Sequence, residues 1–571
     1  MNYPEVIGQL LRQAGVTGEL KFTAPPHTAQ GDLALACFDL AKESGGRSPA
    51  AAAKDLAASI TQMASPLVEQ AQAAGPYVNF FLRGGELARL VLPAVGDDYG
   101  AHTLGKEETI MVEFAHPNTH KAFHVGHLRN IVTGESLARL FQNAGYTVVR
   151  ANYQGDIGLH IGKCLWGLLH GEPPADQLVS NQQLTTPAAR VKVLGEAYAR
   201  GAAAYEADES AKKEIQELNG AVYTNDPSIR KIYTTTRAWS LEYFDTLYRR
   251  LDTRFDRLYF ESEMFSRGKE IVEEWLPRGV FVESEGAVIF PGKRFGLHDR
   301  VFLTRERLPT YEAKDLALAE RQFADYHPAH IYHVVATEQS EYFRVLFQAL
   351  EATLPASRGR EHHLVYGWVR LREGKMSSRT GQVVLAEWLL DTVGAKIREM
   401  MGERAAALPD ATVERIAVAA VKYAFLKTGV SNELAFDLER SVSLSGDSGP
   451  YLLYMVARMK SILRQQSADS ASQQIQQLVG GVTITTSEKR LLLQIAEFPA
   501  VTRTAAERTD PSLVAHYLLT LAQRFSDFYE TCPVLKAEPA TRTFRLALLH
   551  ATQLVLERGL QLLGIATVEE M

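Results

Sequence analysis

The stretch 109–130 constrains this chain more than any other. An apolar run at 109–114 reads as a buried strand, a polar loop follows, and a helix period runs over 128–142 with His124, Gly126 and His127 at its mouth. A second strand at 147–153 comes after the stop at Asn143-Ala-Gly145, so the segment makes one βαβ unit. Unpaired backbone N–H groups and the positive end of the helix dipole favour an anion at such a mouth. Two imidazoles add to it, and Gly126 lets a ligand come close to the backbone. Donors fixed in advance accelerate a reaction at a phosphate only where they tighten in the transition state. The segment therefore reads as a nucleotide-phosphate site, against the plainer reading of two histidines packed in a core.

Length and composition set the frame. With 571 residues, 46% hydrophobic and 22% charged, the chain has material for about three or four soluble domains. No apolar run approaches the ~20 residues that span a bilayer, and Met1-Asn-Tyr-Pro-Glu5 does not open a signal segment, so a cytoplasmic protein without membrane contact is expected. Cys37, Cys164 and Cys532 stand far apart with no C-x-x-C pair, which points to free thiols and away from structural zinc or another metal site. The net charge of −6 leaves nucleic-acid binding undecided, because a local basic track suffices.

Residues 1–95 read as a small α/β unit, with helical 6–14 and 49–61 and strand-like 77–82. From 106 to 385 strands alternate with helices as in a doubly wound, Rossmann-like parallel sheet, with strand signals at 255–260, 280–290, 330–336 and 363–371. Between about 168 and 252 three helical stretches, 187–205, 210–223 and 227–251, read as an insertion. From 386 to 571 the apolar spacing is almost wholly helical, which predicts an all-α bundle, and the Ser/Gln-rich 465–477 reads as a loop or frayed helix end.

Further polar clusters fall at strand ends. Gly374-Lys-Met-Ser-Ser-Arg-Thr-Gly381 is a glycine-bounded loop between a strand and a helix, Tyr311 and Asp315 share one helix face, Glu261 follows the strand 255–260, and Gln339 precedes Tyr342-Phe343. Each of these residues taken singly is read more plainly as packing, rim or surface; their joint order carries the argument.

The run Pro117-Asn118, Lys121 and His124-Val-Gly-His127-Leu-Arg resembles the first signature of class I aminoacyl-tRNA synthetases, that of the arginyl-tRNA synthetases in particular. The loop 374–381 resembles their mobile second signature, and Gly155-Asp156-Ile-Gly158 their motif at the floor of the site. The resemblance implies catalysis by His124, Gly126, His127, Lys121 and Lys375, with ATP also held by Gly155, Asp156, Gly158 and Ser377. It implies arginine binding by Asn118, Glu261, Tyr311, Asp315 and Gln339. Ser378 replaces the usual second lysine, for which Lys121 compensates in many of these enzymes, and His160 and His116 replace the usual glutamine and serine. Residues 436–440, 448–464 and 528–534 resemble the anticodon domain, where Tyr451, Tyr454, Arg458, Lys460 and Arg464 are the candidate tRNA contacts, and residues 1–95 resemble a domain that touches the outer corner of the tRNA. The resemblance further implies a monomer that uses ATP with Mg2+ to attach L-arginine to tRNA(Arg) through an arginyl-adenylate, with the first transfer to the 2′-hydroxyl and tRNA needed for activation. The rival readings are a different class I synthetase or small nucleotidyltransferase, and a catalytically silent tRNA-binding relative suggested by Ser378.

Overall fold

Ile110, Met111 and Val112 are each at most 1% exposed, so both faces of their strand are covered, as a central parallel strand requires. The computed structural model describes residues 3–571 except 24, 26, 44–46, 175–176, 179–183, 373–383, 405–407 and 465–481. In chain order the sheet region runs β1 (Thr109–Glu113), α1 (Val125–Asn143), β2 (Thr147–Gln154) and α2 (Leu159–Leu169). The inserted helices follow as α3 (Pro187–Ala207), α4 (Glu209–Tyr223) and α5 (Pro227–Arg250). The remainder comprises β3 (Arg257–Phe260), α6 (Glu261–Trp275), α7 (Tyr311–Tyr326), β4 (His330–Ala336), α8 (Ser340–Thr353) and β5 (Glu361–Tyr366).

These strands form one parallel sheet in the order β5-β4-β1-β2-β3, with Ile110 opposite Val148 and His330, and Ala151 opposite Arg257. The chain thus starts in the middle, winds to one edge, and crosses back to the other side of β1. Such a reversal leaves a crevice beyond the carboxyl ends of β1 and β4, where open α/β sheets bind ligands.

The expected strand 280–290 is corrected. It is a hairpin, Val282–Ser284 with Ala287–Phe290, extended by Arg300–Leu303 into a separate antiparallel sheet. Glu285 and Gly286 both have positive φ, 50° and 83°, the conformation of a tight hairpin turn. The expected strand 363–371 also divides, because Val369–Leu371 leaves the main sheet to pair with Leu434–Phe436. That short strand interrupts the otherwise helical C-terminal region, whose long helices are Ala386–Met401, Asp410–Leu426, Gly449–Arg464, Thr486–Glu507, Ser512–Thr531 and Pro539–Leu562. The Ser/Gln-rich stretch 465–477 lies outside the described residues.

The N-terminal unit is a four-stranded antiparallel sheet in which Val68–Ala74, unexpected from sequence, pairs with Tyr77–Leu82. One continuous core joins this unit, α1 and the C-terminal helices; a second lies against the far face of the sheet, and a third inside the insertion. Among the described residues no helix is long and apolar enough to cross a membrane.

Candidate active site

His124 caps α1 from an extended backbone, φ −115° and ψ 172°. Its Nδ1 accepts the N–H of Gly126 at 3.1 Å, and its own backbone N–H donates to His127 Nδ1, also at 3.1 Å. A backbone N–H can only donate, so both Nδ1 atoms are bare and each neutral ring carries its proton on Nε2. Burial, then the neighbouring Lys121, holds His124 below the ordinary imidazole pKa; burial, then His124, His116 and Lys121, holds His127 well below it. The two rings lie 3.8 Å apart as neutral N–H donors at the positive end of α1. A side chain at Gly126 would put its Cβ 2.9 Å from Cε1 and Nδ1 of His124, so this position requires glycine. Behind them Phe123 packs edge-on against His127 and against Tyr243, Phe244 and Tyr248 of α5, so the insertion supports the helix mouth.

The rest of the signature fastens the crevice. Asn130 accepts the Ala115 N–H at 2.6 Å and donates to the Val334 carbonyl at 2.6 Å, joining the loop after β1 to β4. Buried Arg129 donates to the carbonyls of Trp368, Val430 and Asn432. The Val125 N–H meets the Val384 carbonyl at 3.0 Å and the Ala386 N–H meets the Phe123 carbonyl at 3.0 Å, so the chain that comes after 373–383 is anchored on the start of α1. Lys375 and Ser377, expected at the triphosphate, and Ser378 lie outside the described residues.

Asn118 and Gly155 form a bridge between the loops after β1 and β2, and a Cβ on Gly155 would stand 2.1 Å from Asn118 Oδ1. Gly158, at φ 120°, turns the chain into α2. Asp156 is fully buried; its carboxylate accepts from Ser262 N–H at 2.9 Å, Ser262 Oγ at 2.7 Å and Arg237 Nε at 2.9 Å. With these bonds Asp156 ties β2 to α5 and α6 at the floor of the crevice. The Nζ of Lys121 stands 5.2 Å from the centre of the Tyr198 ring on α3. Burial, then Lys163, pushes its pKa down. His160 is pushed to about 3, chiefly by burial, and its Nε2 is buried without a partner among the described residues.

A cavity of about 440 Å³ opens beside this crevice, and Tyr311, Asp315 and Gln339 all line it. Asp315 accepts from the Tyr342 hydroxyl. Burial pushes its carboxyl up to about 8, with Glu113 and Glu261 adding to the rise against the Tyr342 bond. Tyr311 is 59% exposed, and Lys314 Nζ lies 4.3 Å from its ring centre. Asn118 and Glu261 are not on the cavity wall. Buried Glu261 is paired through Oε2 with Lys314, and its Oε1 lies 3.3 Å from where a Cβ on Gly155 would stand.

Sequence reasoning missed the far wall. His333 sits between Glu113 at 3.0 Å and Glu361 at 2.7 Å; burial opposes its charge, but the two carboxylates raise its pKa to about 10. Glu312 pairs with Arg300 at 3.0 Å on the same wall. The only trace of this network in the sequence is polar residues at the end of β1 and inside β4. An enclosure with Asp315 and several further carboxylates is chemically matched to a cation.

In the C-terminal region Tyr451 is 8% exposed and packs into the core. Lys460 is held by Glu557 at 2.9 Å and Glu569 at 2.5 Å, and Arg464 by the Glu569 carbonyl at 3.0 Å. Tyr454 is half-buried, and Arg458 lies 4.4 Å from the centre of the Tyr529 ring.

The family model described as tRNA synthetases class I (R), catalytic domain, matches residues 93–438, and the DALR anticodon binding domain matches residues 452–571. The arginine–tRNA ligase of Treponema pallidum is 33% identical over 569 residues, which cover 97% of this chain and 95% of that protein. That of Clostridium beijerinckii is 30% identical, covering 96% and 95%. Among solved structures, Thermus thermophilus arginyl-tRNA synthetase superposes with a TM-score of 0.76 at 26% identity, over 99% of both chains. With a family model over more than half its length and relatives alike from end to end, the chain belongs to the class I tRNA synthetases of the arginine type.

Proposed function

We propose that this protein is an arginine–tRNA ligase, which joins L-arginine to its tRNA at the expense of ATP through an arginyl-adenylate. One observation carries the reading: a helix mouth with two neutral histidine donors opens into the same crevice as a cavity whose wall holds Asp315, Tyr311 and Gln339. The first suits a phosphate under attack, and the second a cation with N–H groups to satisfy.

In this reading the arginine carboxylate attacks the α-phosphate, pyrophosphate leaves, and a ribose hydroxyl of the tRNA end then displaces AMP. His124 and His127 present Nε2–H groups to the phosphate oxygens, and Lys121 supplies a point charge from one side of the triphosphate while Lys375 supplies another. Mg2+ enters with ATP as part of that substrate. Asp315, Tyr311 and Gln339 hold the guanidinium, Asn118 the main-chain groups, and Gly155 and Gly158 leave room for the nucleotide. Asp156, joined to Arg237, shapes the floor under the ATP, and Glu261, joined to Lys314 and facing Gly155 beside Asn118, belongs to the arginine site. Arg458 and Arg464 are the RNA-facing candidates of the C-terminal region. Charging assays with each amino acid and purified tRNAs test the reading; transfer of arginine alone is the expected result, and its absence refutes it.

A further inference from the structure

Tyr153 has no part in that reaction as described. It stands near the end of β2, two positions before the Gly155 that touches Asn118, and it lines the cavity shared by Tyr311, Asp315 and Gln339. Its hydroxyl is buried and has no hydrogen-bond partner among the described residues. Buried hydroxyls are rarely left so, because the unmade bond is not compensated by water. The orphan is not isolated: Gln322 Oε1 and Glu361 Oε1, both acceptors, are also buried without partners among the described residues, and both belong to residues on the same wall. Several unmet groups around one cavity point to a polar ligand that completes them.

The surroundings of Tyr153 select the ligand's chemistry. Burial, then the carboxylates of Asp315, Glu261, Glu113 and Asp156, keep the phenol protonated far above neutral pH. A neutral phenol offers lone pairs as an acceptor, and a cationic partner offsets the negative field around it. A guanidinium has more N–H groups than one carboxylate can accept, so a second acceptor on the wall has a role. We propose that Tyr153 is a specificity-determining residue of the amino-acid pocket, its hydroxyl oxygen accepting an N–H of the substrate guanidinium while Asp315 balances the charge. This rests on the reading of the cavity as the arginine site.

The test is Tyr153→Phe, which removes one oxygen and keeps the ring. Charging kinetics for arginine, ATP and tRNA are measured together with thermal melting with and without saturating arginine. The expected result is a KM for arginine raised about tenfold, with KM for ATP and tRNA within about twofold of wild type. Without arginine the variant melts at or above the wild-type temperature, since an orphan polar group has gone, and the rise produced by arginine shrinks. An unchanged KM for arginine with an unchanged arginine-induced rise overturns the proposal, including the case in which the hydroxyl holds only water. A lower melting point with all three KM values raised also overturns it and assigns Tyr153 to packing. Wild-type protein that neither charges tRNA with arginine nor is stabilised by it would instead sink the functional reading, so the two failures are separable.

Discussion

Raising the pH from 6 to 8 should tighten arginine binding about fiftyfold. The Asp315 carboxyl, buried beside Glu113 and Glu261, is lifted to about 8 in the empty pocket. A guanidinium is permanently charged and stabilises the carboxylate form, so binding below that pKa must expel the proton. At pH 7 the empty site is about nine-tenths protonated, and binding releases about 0.9 proton. Arginine KM therefore falls about tenfold from pH 6 to 7, about fivefold from 7 to 8, and levels off above that. His333 stays charged to about 10, burial holds His116, His124 and His127 below the ordinary imidazole value, and Tyr153 and Tyr342 are raised far above the ordinary phenol value. The sign for the fold is opposite. A carboxyl that holds its proton more tightly when folded makes the empty protein lose stability as the pH rises from the usual carboxylate range toward 8. The assay is arginine KM at saturating ATP and tRNA from pH 6 to 9, with calorimetry in two buffers of different ionisation enthalpy to count protons. Asp315→Asn should raise KM on the order of a hundredfold and abolish its pH dependence, because a neutral amide replaces the charged partner. A flat wild-type profile with no proton release would refute the reasoning.

Three further substitutions probe the rest of the crevice. Gly126→Ala would place a Cβ 2.9 Å from the His124 ring and dislodge the cap, so single-turnover adenylate formation should slow by about a hundredfold while arginine binding persists; a rate within threefold of wild type contradicts this. Gly155→Ala would set a Cβ 2.1 Å from Asn118 Oδ1, and the displaced amide should raise KM for arginine by about tenfold, measured on protein whose melting point has been checked; an unaltered KM removes Asn118 from the arginine site. Lys121→Ala should slow adenylate formation and leave equilibrium arginine binding intact, and an unaffected single-turnover rate would end its role at the triphosphate.

How far the molecule could be read from its residues depended on whether the signal was local. The β1-α1-β2 unit was legible because Ile110, Met111 and Val112 form an unbroken apolar run and α1 keeps a helix period. Val68–Ala74 was not, since glutamate, glutamine and alanine favour helices and the strand exists through its pairing with Tyr77–Leu82. Leu434–Phe436 is too short to carry a period and is made by its pairing with Val369–Leu371. In the site, Tyr311 and Asp315 stand four apart on one turn of helix, and the structure brings them to one cavity with Gln339. Side chains that meet across the fold escaped. Glu261 is neutralised by Lys314, Asp156 by Arg237, and Glu113 meets His333 from another strand; no spacing rule predicts such partners.

These partners divide the crevice electrostatically. At the mouth of α1 burial holds the rings of His124 and His127 below the ordinary imidazole pKa, so on the proposed reading they act as directed N–H donors to the phosphate and do not bind ATP indiscriminately as cations would. Contacts that strengthen only as charge develops on the phosphate raise the rate, whereas equal grip on substrate and transition state does not. At the other end Asp315 holds a proton until a cation arrives. Releasing that proton is a cost that lysine and arginine share, so it cannot distinguish them. Discrimination must come from the neutral acceptors around the carboxylate. Lysine brings a compact charge with three donors, while arginine brings a planar fork with five. A lysine in a pocket built for the fork leaves buried acceptors unpaired, a defect that can amount to a factor of ~10⁴ or more in selection. On the proposed reading, then, the charge on Asp315 admits a cation, and the geometry of its uncharged neighbours decides which one reacts.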